Sequence, residues 1–212
     1  MFGKRNIRKV ETAKHRVPDL SRVYAIGDIH GEAEMLEGLL DKIRQDACRA
    51  EAERKVVVYL GDYVDRGESS RQVIDLLLSD QLPDFECIFL KGNHEVAFLG
   101  FMETPEDHLH WLTYGGRATC ASYGVDIAAA PGGPAMMSWL QEKLNEAVPN
   151  HHKEFLAGLP LSHQEGDYFF AHAGIKPGVP IEEQRAEDLL WIREPFLQSN
   201  FDHGQIVVHG HK

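Results

Sequence analysis

Short apolar runs alternate with helical repeats along the first half of the chain. Residues 23–26, 56–60 and 87–91 are rich in Val, Ile, Leu, Tyr and Phe, the make-up of buried strands. Between the first two, Met35, Leu36, Leu39, Leu40 and Ile43 recur at helical spacing, with Glu and Lys among them. Between the second and third, Val73, Ile74, Leu76, Leu77 and Leu78 do the same, and Ser69 or Ser70 stands where an N-cap belongs. Residues 49–55 are charged and predict a surface loop, and Pro83-Asp84 predicts a turn. Two β-α-β units in succession predict parallel strands and right-handed crossovers, hence an α/β fold.

After Asn93, an expected N-cap, the pattern becomes helical. Residues 95–102, 105–112, 136–147 and 149–159 predict helices, the last with Pro149 in its first turn. The Gly- and Pro-rich residues 128–134 predict a mobile loop. Residues 161–164 and 167–171 flank Glu165-Gly166, a hairpin signal, and residues 206–208 make a last strand. The chain reads as a single domain over residues 1–212, with a helical cap inserted at about residues 100–160. Residues before Pro18 are expected to be weakly structured.

Composition narrows the function classes. The 212 residues are 43% hydrophobic, enough for a full core. No apolar run approaches the roughly 18 residues of a membrane span, and the charged N-terminus is not followed by the apolar core of a signal peptide. A net charge of -11 argues against a duplex nucleic-acid binder. Lys4, Arg5, Arg8, Lys9, Lys14 and Arg16 form a basic arm, read as a solvated tail. Cys48, Cys87 and Cys120 are odd in number and unpatterned, which points to buried thiols and a cytoplasmic setting.

The candidate chemistry lies where the strands end. Gly61-Asp62-Tyr63-Val64-Asp65-Arg66-Gly67 follows the second strand and places two carboxylates and a guanidinium on a glycine-bracketed loop. The same punctuation recurs in Gly27-Asp28-Ile29-His30-Gly31, Gly92-Asn93-His94-Glu95, His172-Ala173-Gly174 and His209-Gly210-His211. Asp28 or Asn93 alone would be a turn or cap residue, His172 alone a core histidine, and Arg193 alone a salt-bridge partner. Five strand ends with metal-ligand side chains are harder to attribute to turn chemistry. Residues 151 and 152, and 108 and 110, are histidine pairs read as exposed.

These motifs, in this order and spacing from Val23 to His211, resemble the phosphoprotein phosphatase branch of the calcineurin-like metallophosphoesterases. Trp111-Leu112 with Gly115-Gly116, and Leu190-Trp191-Ile192-Arg193-Glu194, resemble its bacterial and phage serine/threonine phosphatases. The resemblance implies a β-sandwich flanked by helices. It implies two divalent metal ions, Mn²⁺ first and Fe²⁺ or Zn²⁺ as alternatives. Asp28, His30 and Asp62 would hold one ion, and Asp62, Asn93, His172 and His211 the other. It also implies His94 as general acid paired with Asp65, and Arg66 and Arg193 as grips on the phosphoryl oxygens. Glu95 is assigned to support of its loop, and His209 stands beside His211 as an ambiguous neighbour.

The implied activity is phosphomonoester hydrolysis by a metal-bridging hydroxide, on phosphoserine or phosphothreonine in proteins. A dinucleoside polyphosphate or another small phosphoester is the alternative substrate, and a catalytically inert module for phosphorylated partners is the third reading. Family members usually carry Thr, often followed by Pro, after the last histidine, and then further strands. Lys212 stands in that place, so either the C-terminal strands are missing from the protein, which would leave His211 on a frayed end, or the sequence continues beyond Lys212.

Overall fold

The computed structural model describes residues 15–211. The first sheet is formed by β1 (Ser21–Ile26), β2 (Arg54–Tyr59) and β3 (Glu86–Phe89), all parallel and in that order. The second holds β4 (Ser162–Glu165), β5 (Tyr168–Ala171) and β6 (Ile206–Val208), with β4 antiparallel and β6 parallel to β5. The helices α1 (Ala33–Ala47) and α2 (Ser70–Leu78) make the two crossovers of the first sheet. The hairpin expected around Glu165-Gly166 is the β4–β5 turn, with Gly166 at φ 61°.

Strand alternation builds two packed layers. Val56 and Val58 point between the sheets and meet Phe170 of β5, while Val57 and Tyr59 point the other way into the helices. β2 starts at Arg54, inside the stretch expected to loop. The charge is tolerated there because the guanidinium is held by Glu86 on β3 and by Glu165 on β4, at 2.7 and 2.6 Å. This pair ties one sheet to the other.

The long helical stretch comprises α3 (Asn93–Glu103), a 3₁₀ turn at Leu109–Thr113, α4 (Gly116–Ser122), α5 (Ala135–Ala147) and α6 (Asn150–Gly158). Phe98, Phe101, Trp111, Leu140, Leu144 and Leu156 share one buried cluster with Val57, Tyr59 and Ile74. Gly92, not Asn93, caps α3, because the Glu95 carboxylate accepts the Gly92 N–H at 2.8 Å and frees the Asn93 side chain. The helix expected over 105–112 shortens to the 3₁₀ turn. α4 arises where the sequence pattern predicted no element: Gly115 sits at φ 120°, and a Cβ there would lie 2.6 Å from the Arg66 backbone nitrogen. Pro149 caps α6 from outside it.

Two short helices, α7 (Ala186–Trp191) and α8 (Glu194–Leu197), cover the outer face of the second sheet through Leu189 and Phe196. Neither is long enough to leave a periodic signal. Arg16 is not loose: its backbone exchanges hydrogen bonds with Asp167 at 2.9 and 3.0 Å. The rest of the basic arm (Lys4, Arg5, Arg8, Lys9 and Lys14) lies outside the described residues, as does Lys212. Cys120 is buried and Cys87 half-buried, but Cys48 is exposed, against the expectation of three buried thiols. Among the described residues, no helix is long and apolar enough to cross a membrane.

Candidate metal centre

Five connections leave the carboxyl ends of β1, β2, β3, β5 and β6 and carry Asp28, Asp62, Asn93, His172 and His211. Ligands of α/β sheets gather at that edge. The two sheets are stitched together there. The His172 Nδ1–H donates to the Leu60 carbonyl at 2.8 Å, joining the sheets, and the Gly210 N–H donates to the His172 carbonyl at 2.8 Å, joining the ends of β5 and β6 within the second sheet. The backbone is strained at the same place. Six described non-glycine residues have positive φ, and five of them are His30, Asp62, Asp65, Arg66 and His211. Such conformations cost about 1–3 kcal/mol each and persist where the surroundings enforce them.

Asp62 stands at the middle. Its backbone carbonyl accepts from the N–H groups of Ile29 and His30, and its own N–H donates to Glu95. Glu95 is fully buried and takes further N–H donors from Gly92, Tyr63 and Val64. Burial, followed by the Asp62 charge, pushes the Glu95 carboxyl up to about 7, against those donors. Glu95 therefore splints the Asp62 loop to the start of α3.

Two groups of ligand-type atoms share Asp62. One is His30, Asp62 and His94, and the other is Asp62, His172 and His211. In the first, the His30 Nδ1–H donates to the Val64 carbonyl at 2.8 Å, while its Nε2 is buried and has no partner. Burial lowers the His30 pKa, so the ring is neutral and Nε2 carries a free lone pair. In the second, His172 Nε2 lies 2.8 Å from Asn93 Oδ1, 3.1 Å from His211 Nδ1 and 3.4 Å from Asp62 Oδ2.

Acceptors crowd together like this only around positive charge. With protein atoms alone, that charge is a proton on His172. Burial opposes it, but Asp62 and the Leu60 carbonyl outweigh burial and raise the imidazole pKa. Burial also opposes the charge on Asp62, yet His172 and His94 hold its carboxyl down to about 2. The orphaned His30 nitrogen and the acceptor cluster both fit a divalent cation. Metal-bound histidines characteristically donate their other ring N–H to a carbonyl, as His30 and His172 do.

The His94 Nδ1–H donates to Asp65 Oδ2 at 2.6 Å. Asp65 is wholly buried and also accepts from Trp111 Nε1 at 2.8 Å and Thr119 Oγ1 at 2.6 Å. Its backbone N–H donates to Thr119 Oγ1 and Ser70 Oγ. Burial lowers the His94 pKa, but Asp65, followed by the Asp62 charge, outweighs it and leaves the imidazole raised. Arg66 reaches His94 Nε2 at 3.5 Å, and Arg193 Nε reaches His211 Nε2 at 3.3 Å. His94, Arg66, Arg193, Asn93 and His211 all line one cleft of about 400 Å³.

Most of the predicted residues come together, but not all. Asp28 joins neither ligand group; its Oδ1 accepts the His211 N–H at 3.2 Å, on the rim beside that histidine. His209 packs on Phe196 instead of joining the cluster. The pair at 151 and 152 is only half exposed. His152 is buried and hydrogen-bonds Tyr123 and Asp75 through both nitrogens, a structural role. Trp111 was visible in the sequence only as part of a motif. Thr119 gave no signal and Ser70 only that of a candidate N-cap, because an ordinary helical hydroxyl looks the same wherever it points.

A sandwich of two sheets that gathers Asp, Asn and His at its strand ends is the arrangement of metal-dependent phosphoesterases. The chain belongs to the calcineurin-like phosphoesterase family, whose profile matches residues 21–212. It is similar to the symmetrical bis(5'-nucleosyl)-tetraphosphatase of Aromatoleum aromaticum, 26% identical over 166 residues, covering 77% of this chain and 48% of that protein. It is also similar to serine/threonine-protein phosphatase 2 of Escherichia coli, 33% identical over 94 residues, covering 44% of this chain and 38% of that protein. The chain spans about half the length, or less, of these relatives. The crystal structure of a putative diadenosine tetraphosphatase superposes with a TM-score of 0.57 at 21% identity, over 92% of this chain and 77% of that one. At that identity the likeness speaks for the fold.

Proposed function

We propose that this domain hydrolyses phosphate esters at a centre for two divalent cations. Asp62, Asn93, His172 and His211 would hold one, and His30 and Asp62 the other, with Asp28, which the family resemblance adds to it, turned instead to the His211 N–H. The observation that supports this most is the convergence of Asp62, Asn93, His172 and His211 on one buried point beside the unpartnered His30 Nε2. Mixed nitrogen and oxygen donors suit Mn²⁺, Fe²⁺ or Zn²⁺. Such cations, when bound, supply Lewis acidity to a water and to the phosphoryl oxygens.

The chain's own residues do the rest. His94 lines the cleft and holds a proton on Nε2 for the departing oxygen, while Asp65 fixes the tautomer through Nδ1. Arg66 and Arg193 present permanently charged forks to the phosphoryl group. Positioned cations stabilise the charge that spreads over its oxygens.

For the substrate, phosphoserine and phosphothreonine monoesters stand first, supported by the Asp65-Arg66 half of the central loop and by the serine/threonine phosphatase relatives. Dinucleoside polyphosphates are the second reading, supported by the tetraphosphatase relatives, which align with 77% of the chain. We assign the choice to residues 100–160, whose His108, His110 and Tyr114 line the cleft. The test is turnover of p-nitrophenyl phosphate, a phosphoserine peptide and diadenosine tetraphosphate by the Mn²⁺-treated protein. Hydrolysis of the first is expected, and the other two rank the substrates. No hydrolysis of any with Mn²⁺, Fe²⁺ or Zn²⁺ overturns the proposal.

A further inference from the structure

The cleft has two aromatic side chains that neither the metal ligands nor the acid–base pair require. Tyr114 is 66% exposed and Trp191 47% exposed, although both border the most buried polar cluster of the domain. A tryptophan that open at the mouth of a site is a ready contact surface.

Each aromatic accompanies an arginine. Tyr114 precedes Gly115, whose carbonyl accepts the Arg66 N–H at 3.3 Å, and Arg66 reaches His94. Trp191 lies two residues before Arg193 and meets the His211 ring edge-on at 6.2 Å, and Arg193 also reaches His211. His94 belongs to one ligand group and His211 to the other, and the two groups share only Asp62. The cleft therefore carries two arginines and two open aromatic rings: Trp191 and Arg193 both meet His211, while Arg66 reaches His94 and Tyr114 lines the same cleft one residue before the Gly115 that holds the Arg66 backbone. An alkyl monoester gives both arginines one phosphoryl group and leaves both rings unused. A molecule with a phosphate chain in the middle and a planar ring at each end would use both.

Building on the dinucleotide reading above, we propose that Tyr114 and Trp191 are stacking platforms for the two bases of a dinucleoside polyphosphate whose phosphate chain lies across Arg66 and Arg193. Base–aromatic stacking tolerates any base, because every base has a π-face. The platforms would thus select for two rings and a chain of matching length, with little preference among nucleobases.

The experiment compares Tyr114→Ala and Trp191→Ala with Tyr114→Phe and Trp191→Phe in the full chain. Diadenosine tetraphosphate and β-glycerophosphate, which has no ring, are run side by side. Each alanine variant is expected to lower the ratio of kcat/KM for the dinucleotide to that for β-glycerophosphate by about tenfold, mainly through KM, and each Phe variant to restore it. Tryptophan fluorescence provides a readout independent of turnover. Titration with diadenosine tetraphosphate in chelator should quench the wild type and quench Trp191→Ala much less, since Trp111 is buried and half-buried Trp139 does not line the cleft. A proportional loss on both substrates, or unaltered quenching in Trp191→Ala, overturns the platforms and leaves phosphoester hydrolysis standing. Failure of the wild type on both substrates counts against the hydrolase reading, and the quenching titration still decides the platforms.

Discussion

His94 and Asp65 meet at 2.6 Å in the interior, and the carboxylate is held from its other sides by Trp111 and Thr119. Three residues from three separate segments thus fix one imidazole. A ring whose Nδ1 proton is tied this firmly presents only Nε2 to the cleft, the geometry a proton donor needs.

Trp111→Phe keeps the packing against Phe98 and Phe101 but removes an N–H from Asp65. Trp111 is a positioning residue. Its loss should slow hydrolysis of alkyl phosphates, which need protonation of the leaving oxygen, by about tenfold, and slow p-nitrophenyl phosphate much less. Steady-state rates over a series of leaving groups check this, and an equal loss across the series would refute it.

His94→Asn should lower kcat on alkyl phosphates by about 10²- to 10⁴-fold, the usual worth of a general acid. Metal content after dialysis should stay at the wild-type level. A parallel fall in bound metal would make His94 a ligand.

Asp62→Asn weakens the one carboxylate shared by both ligand groups. Turnover should vanish and the bound metal should be lost. For the wild type, chelator should abolish activity and Mn²⁺ restore it. Added Mn²⁺ should also raise the thermal midpoint, since a ligand of the native state stabilises it by mass action; Asp62→Asn should not respond. Metal analysis and thermal scans measure both.

Gly61 has φ 100°, and a Cβ on it would lie 2.5 Å from the Gly92 nitrogen. Gly61→Ala should therefore destabilise the fold by about 2 kcal/mol or more, through both strain and the shift forced on the α3 start. Urea unfolding would show it, and a midpoint within error of the wild type would contradict the close approach.

Arg54 and Glu165 join the two sheets, and the pair is pH-sensitive. Burial opposes the Glu165 charge, but Arg54 and His163 outweigh it and hold its pKa below the ordinary 4.5. A depressed carboxyl stabilises the native state above its ordinary pKa and ceases to do so as pH falls through the native value. Glu165→Gln should cost about 1 kcal/mol at pH 7, a figure kept small by the solvent around Arg54, and less at pH 3. Equal losses at both pH values would exclude the linkage.

Much of this was legible in the linear chain. The apolar runs at 23–26, 56–60 and 87–91 are strands because β-branched and aromatic residues suit a pleated, largely covered surface, fully buried on both faces only in β2, and that property belongs to each segment alone. The motif residues after those strands were legible for the same local reason, since a strand end with Gly, Asp or His reads the same before folding. Folding decided what needs two distant segments at once. Glu95 became the splint of the Asp62 loop because α3 starts beside that loop. Thr119 and Trp111 became partners of Asp65 because α4 packs on α2 and the 3₁₀ turn packs on α3 and α4. Asp28 turned to the His211 backbone because β6, paired with β5 in the second sheet, ends across the sandwich from the end of β1. Contacts between residues tens of positions apart are set by packing of whole elements, and no local pattern records them.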